Sequence, residues 1–122
     1  MQSFSKYWPV EIRLNKGKNQ LEIDFEDGKS FDLPAELLRI ESPSAEVRGH
    51  APNEKKIIAG RKYVTIINIE TIGHYAIRIH FDDLHNTGIY TWDTLYKLGR
   101  DQDLIWQNYL KALKENGLNR AP

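Results

Sequence analysis

The chain contains no cysteine, which excludes disulfides, a thiolate nucleophile and any zinc site built on sulfur. That is compatible with a reducing compartment. Long apolar runs are missing as well. The longest ones are far too short to span a bilayer, and the opening residues, Met1 to Pro9, lack the apolar stretch of a secretory signal. No excess of one charge exists, since 17 Lys and Arg residues balance 17 Asp and Glu residues. Without a basic surplus, nucleic acid is not the expected partner. There is no phosphate-binding glycine loop and no nucleophile elbow. Internal repeats, low-complexity segments and linkers are not found either. At 122 residues the chain is expected to form one domain spanning 1–122, with an ordered core of about 8–117. A chain of this size buries a core without metal or disulfide. The expected location is cytoplasmic, with no membrane contact.

What is present reads first as strands. Val10, Ile12 and Leu14 alternate with Glu11 and Arg13, and Leu21, Ile23 and Phe25 alternate with Glu22, Asp24 and Glu26. This period of two predicts half-buried strands. A turn at 16–19 joins them. Asp27-Gly28 predicts a hairpin through a type I′ turn, followed by a short third strand at Phe31 and Leu33. Residues 63–70, YVTIINIE, are β-branched and apolar on both faces, which predicts a central strand. After a turn at 71–74, Tyr75, Ile77, Ile79 and Phe81 predict another strand, and Ile89-Tyr90 a last short one.

Helices are fewer. Pro34 suits the first turn of a short helix over residues 35–38, which the Ser42-Pro43 step should end. Thr91 can cap a helix that Gly99 ends, and Asp101 can cap a final helix with Asp103 at its positive end. Trp106, Tyr109, Leu110 and Leu113 form the apolar stripe of that helix. Gly117 should stop it, leaving 118–122 as a mobile tail. The expected fold class is α+β. It consists of a mainly antiparallel sheet of five to six short strands, a short helix after the first meander, and two C-terminal helices packed on the sheet.

Residues 37–52, LLRIESPSAEVRGHAP, stand apart from this pattern. They follow no clean period, yet hold two arginines, two glutamates, two serines and a histidine. A loop so dense in chemistry is more often functional than structural.

This loop together with residues 75–99, YAIRIHFDDLHNTGIYTWDTLYKLG, resembles the gamma-butyrobetaine hydroxylase-like N-terminal domain family. The resemblance runs from Trp8-Pro9 to Trp106 and Tyr109, and the chain looks like a small stand-alone bacterial-type member. In the hydroxylases the domain precedes an iron- and 2-oxoglutarate-dependent oxygenase domain, which has no room here. In other members a similar domain is attached to P-loop ATPases carrying iron–sulfur clusters. The resemblance also implies a zinc site of three cysteines and one histidine. The cysteine positions match Ser42, Ser44 and Val47, and the histidine of an Asp-Gly-His segment matches His85, in Asp83-Leu84-His85. A neutral hydroxyl is a poor zinc ligand and valine is none. The implied clamp is therefore expected to be lost, with a polar junction between the two loops in its place.

The candidate binding residues are Arg39, Glu41, Ser42, Ser44, Glu46, Arg48, His50, Asp82 and Asp83, with His85 as the metal-ligand position of the family. Such a cluster can bind an anion through Arg39 or Arg48, hold a metal through His50, His85 and carboxylates, or lock two loops together. Glu46 and Arg48, two apart in an extended loop, point the same way as a surface ion pair. His74 is expected in solvent, and His80 paired across strands. The aromatic residues Trp92, Tyr96, Trp106 and Tyr109 lie at helical spacing, which predicts core packing rather than a ligand cage. Lys55-Lys56 and Arg61-Lys62 read as solvated. The expected function is a non-catalytic binding or adaptor domain whose partner is another protein, from iron–sulfur or iron/2-oxoglutarate oxygenase metabolism. No cofactor is expected. The alternative is a zinc- or iron-binding protein with a remnant site at His85, and a small enzyme is the third reading. Ser42 or Ser44 with His85 would then imitate a nucleophile and its base.

Overall fold

The computed structural model describes residues 6–48 and 55–122. Six strands form two antiparallel meanders. The first sheet holds β1 (Pro9–Leu14), β2 (Gln20–Phe25) and β3 (Ser30–Pro34) in that order. The second holds β4 (Ile66–Ile72), β5 (Ala76–Phe81) and β6 (Ile89–Thr91). The α+β class is as expected, but the strands divide between two sheets instead of sharing one. The segment expected to be central, 63–70, forms an edge. Its strand starts only at Ile66, and β5 is the strand paired on both sides. A register shift between Ile66 and Asn68 turns Ile67 outward. The run of apolar residues therefore reflects a bulge, and not burial on two faces.

Among the described residues there are also four helices: α1 (Ala35–Ile40), α2 (Ala45–Arg48), α3 (Trp92–Arg100) and α4 (Gln102–Glu115). The inner faces of both sheets, with α1 and α3, enclose one core that includes Leu21, Ile23, Leu37, Ile79, Tyr90 and Leu95. α4 packs on this core through Ile105 and Trp106 and also over a smaller cluster of Ile40, Tyr109 and Leu113 beside Ile58. The aromatic residues at helical spacing are packed as expected. Trp92, Tyr96 and Tyr109 are buried. Their polar tips donate to His74 O, to the Asp27 carboxylate and to Ile58 O.

Helix ends show where local reading gives way to packing. Thr91 caps α3 as expected, its Oγ1 accepting from the Thr94 N–H at 3.2 Å. Gly99 does not end α3, which continues to Arg100. A Cβ at residue 99 would collide with the Phe31 ring, so glycine serves the close approach of α3 to β3. Asp101 makes no side-chain cap for α4 and pairs with Arg100 instead. At the far end, the Gly117 N–H donates to Lys114 O and the Leu118 N–H to Leu113 O, with Gly117 at φ 65. This is a Schellman stop. Residues 118–122, expected as a mobile tail, are hydrogen-bonded to 60–62 and to Glu36.

The two meanders share one turn frame. The Gly28 N–H donates to Phe25 O and the Phe25 N–H to Lys29 O. The Leu84 N–H likewise donates to Phe81 O and the Phe81 N–H to His85 O. In each, an aspartate Oδ1 accepts from the amide two residues on, Asp27 from Lys29 and Asp83 from His85. Only the fourth residue of each turn is left-handed, Gly28 at φ 88 and Leu84 at φ 71. The 25–29 hairpin is thus a three-residue loop with one positive φ, and not the type I′ turn its sequence suggests. The recurrence of Phe-acid-Asp is also a structural repeat that the sequence reading passes over.

Candidate functional site

Arg39 lies in the last turn of α1 and is buried at 7 % exposure. The helix starts after Pro34, in extended backbone at φ −60 and ψ 143, and ends at Glu41. Ser42, standing before Pro43, is disfavoured as helix. The end of α1 therefore turns toward the 81–85 loop. There Asp83 Oδ2 accepts from Arg39 Nε at 2.7 Å and from Arg61 Nε at 2.8 Å. Its Oδ1 accepts the His85 amide at 3.1 Å. Arg61 is fixed in turn by donation from Nη1 to Ala59 O. One carboxylate thus joins α1, the 59–61 segment and the 81–85 turn. Burial works to raise the pKa of Asp83. The Arg39 and His85 hydrogen bonds and the Arg39 and Arg61 charges outweigh it and hold the group below the usual carboxylate range.

Beside this ionic joint lies a neutral one. Ser42 Oγ is 2.9 Å and Ser44 Oγ 3.4 Å from His85 Nε2, and the Ser44 amide donates to Ser42 Oγ. Ser42 is 0 % and His85 6 % exposed. Gly88 crosses directly over Ser42, where a Cβ would overlap the serine oxygen. The Tyr90 hydroxyl donates to Leu38 O beneath the clasp, and burial pushes its pKa up.

The structure brings Arg39, Ser42, Ser44, Asp83 and His85 into one clasp. The remaining candidates lie apart. Glu41 pairs with Lys55 at 2.6 Å and with Arg48 at 3.7 Å. Asp82 Oδ1 accepts the Thr65 amide at 3.1 Å. The Glu46 side chain and His50 lie outside the described residues. Residues 45–48 are helical, and not the extended loop expected for Glu46 and Arg48. Positions two apart on a helix face different ways. His74 is exposed, and His80 pairs across strands with Glu70 at 3.2 Å, both as expected. Sequence reasoning missed Arg61, which it left in a solvated patch. No local signal marks a cation whose partner is 22 residues away.

The clasp is poor ground for catalysis, because a fully buried Ser42 hydroxyl presents no attacking oxygen to a substrate. Nor does its donor set fit zinc. At the implied ligand positions stand two hydroxyls, the buried Val47 and one imidazole. Among the described residues no group of three His, Asp or Glu can hold a metal. The hydroxyl–imidazole contacts occupy the place of the implied clamp.

Two meanders closed by helices, with loops joined at an Asp-x-His turn, define an α+β domain of one known class. The profile of the family "Gamma-butyrobetaine hydroxylase-like, N-terminal" matches residues 12–96, and the chain belongs to that family. It is similar to two proteins solved by NMR. One is 39% identical with a TM-score of 0.83, over 97% of this chain and 93% of that one. The other is 40% identical with a TM-score of 0.82, over 100% and 92%. It is also similar to a crystal structure from Acidithiobacillus ferrooxidans of a DUF971-family protein of unknown function. That one is 37% identical with a TM-score of 0.63, over 75% of this chain and 91% of that one. No curated protein matches the chain by sequence. No helix among the described residues is long and apolar enough to cross a membrane.

Proposed function

We propose that this protein is a non-catalytic adaptor that binds another protein through the turn at Asp82–His85. The observation that carries the reading is Leu84. It is 82% exposed and stands at φ 71, a conformation costing a non-glycine residue roughly 1–2 kcal/mol. Its side chain returns nothing to the core. A strained backbone that projects an apolar group into solvent suggests recognition. The turn beneath it is made rigid by Asp83 with its two arginines, so the display is pre-organised. The two residues that precede Leu84, Asp82 and Asp83, line with Arg61 and Tyr63, itself 68% exposed, a groove of about 280 Å³. The complementary partner offers an apolar contact to Leu84 and Tyr63 and a basic group to Asp82. Iron–sulfur or iron/2-oxoglutarate oxygenase metabolism is the proposed setting, from the company that related domains keep.

The test is affinity purification with mass spectrometry from native cells, using the wild-type chain, L84E and Y63A as baits. Proteins enriched by the wild type should fall by roughly tenfold with L84E, the loss expected for one central apolar anchor. Identical recoveries from all three baits, or no enrichment by the wild type, would overturn the reading.

A further inference from the structure

A second arrangement, away from Leu84, has the form of a bound peptide. Residues 118–122 run alongside residues 60–62. The Gly60 N–H donates to Asn119 O at 3.1 Å and the Lys62 N–H to Arg120 O at 3.0 Å. From between these bonds the Arg120 side chain enters a notch beside α1. Its guanidinium forks onto Glu36, with Nε to Oε2 at 2.9 Å and Nη2 to Oε1 at 2.8 Å. It also lies 5.0 Å from the centre of the Trp106 ring. Glu36 is 5% exposed. Leu118, Asn119, Ala121 and Pro122 are all exposed, so arginine is the deepest side-chain anchor of the segment.

We infer that Glu36 and Trp106, with the Gly60 and Lys62 amides, form a binding slot for an extended, arginine-bearing protein segment, and that residues 118–122 fill this slot in cis. Three physical points carry this. A buried carboxylate is costly to the fold, and its pairing with a distant cation adds less stability than an apolar contact would. Such a pair is better suited to selecting a ligand. A planar carboxylate fork beside an indole face suits guanidinium, which lysine cannot match in both contacts. Finally, a space of about 330 Å³ lined by Pro34, Glu36, Gln102, Asp103, Trp106 and Arg120 lies at the notch. That is room beside the guanidinium for more of a ligand than Arg120 itself fills. Two backbone donors with one deep side-chain anchor is how extended peptides are held on an exposed edge. The slot adjoins the groove of the proposed partner surface at Gly60 and Pro122, but its anchor lies on Glu36 and Trp106, and the inference does not depend on that reading.

The test uses the full chain carrying R120A, titrated with the acetylated peptide Leu-Asn-Arg-Ala-Pro and with its twin bearing alanine for arginine. Binding is followed by NMR at the Gly60 and Lys62 amides and the Trp106 indole. The arginine peptide should shift these signals saturably, and the alanine peptide should not. Adding E36Q should weaken binding by roughly tenfold, the loss of one charge-assisted fork. The wild-type chain should bind the peptide roughly tenfold or more weakly than R120A, because its own segment competes as an intramolecular ligand. Absence of shifts in folded R120A at peptide up to about 5 mM, beyond useful affinity, overturns the inference. If R120A does not fold, hydrogen exchange of the wild type decides. The Gly60 and Lys62 amides should exchange at least about tenfold faster than those of Ile23 and Ile79, through local opening. Exchange at the global unfolding rate overturns the inference.

Discussion

Arg39 and Asp83, 44 residues apart in the chain, meet at 2.7 Å, and the same carboxylate oxygen also accepts from Arg61 at 2.8 Å. The two cations are not equivalent. Arg39 is buried and its Nη1 has no hydrogen-bond partner among the described residues, whereas Arg61 reaches solvent. Removing Arg39 takes from the partly accessible Asp83 carboxylate its closest donor and empties a buried position. Removing Arg61 leaves water to take its place. Arg39→Ala should therefore lower stability by about 1–3 kcal/mol and Arg61→Ala by less than about 1 kcal/mol, read from urea denaturation midpoints. Asp83 adds a pH signature. Its folded-state pKa lies below the ordinary value, so its contribution is complete above the unfolded pKa of about 3.9. The contribution is lost as pH falls through the lower folded value. The stability gap between the wild type and Asp83→Asn should be constant near neutrality and close below about pH 4. A gap that widens in acid would contradict the assignment.

Ser42, Ser44 and Val47 stand where the family resemblance places cysteines. Two of them already face His85 Nε2, at 2.9 and 3.4 Å, and Val47 is buried nearby in sequence. The triple variant Ser42→Cys, Ser44→Cys, Val47→Cys should bind zinc at one ion per chain and melt higher with zinc than after chelation. The wild type should show neither response, since its donors do not suit the ion. Elemental analysis and calorimetry with and without EDTA check both. Stoichiometric zinc in the wild type would show that the ligand reading is wrong.

Leu84 occupies the position that Gly28 holds in the matching turn of the other sheet. Leu84→Gly should relieve the left-handed strain and raise stability by roughly 0.5–1 kcal/mol, the entropy of the freer unfolded chain offsetting part of the gain. The same change should remove partner retention. Thermal denaturation alongside the affinity purification measures both. A destabilised Leu84→Gly would mean that the side chain supports the fold after all.

Gly99 gives the opposite case. In an exposed helix, alanine in place of glycine gains about 1 kcal/mol. Here the added Cβ meets the Phe31 ring, and overpacking costs about 1–3 kcal/mol. Gly99→Ala should be net destabilising, and pairing it with Phe31→Leu should recover most of the loss. Additive losses in the double variant would sink the steric explanation.

These cases show which parts of the fold could be read from the residues. Period-two runs such as Leu21-Ile23-Phe25 declared their strands, and Thr91 its cap, because those signals are local. The split into two sheets was not readable, since alternation records which face is buried and not which strand lies alongside. Gly99 read as a stop because its reason, Phe31, lies far away in sequence. Residues 118–122 looked idle because a polar run gives no sign that Arg120 meets Glu36. Within the candidate site the serine–histidine contact followed from family resemblance. Arg61 did not, as nothing around it distinguishes an ion-paired joint from a solvated patch. The left-handed Leu84 was equally hidden, leucine being a residue from which no positive φ is expected.

Each sheet is a contiguous meander, so its strand pairs close loops of only a few residues. Such local pairing forms quickly, and the slow search is the meeting of the two halves. The Asp83 joint and the 118–122 segment are long-range stitches, and they form only once both halves exist. Changes there should speed unfolding far more than they slow folding, giving φ-values near zero in chevron analysis, whereas changes within β2 or β5 should slow folding. The clasp thus acts less as a nucleus than as a lock on the finished fold, setting how long the native state lasts once formed.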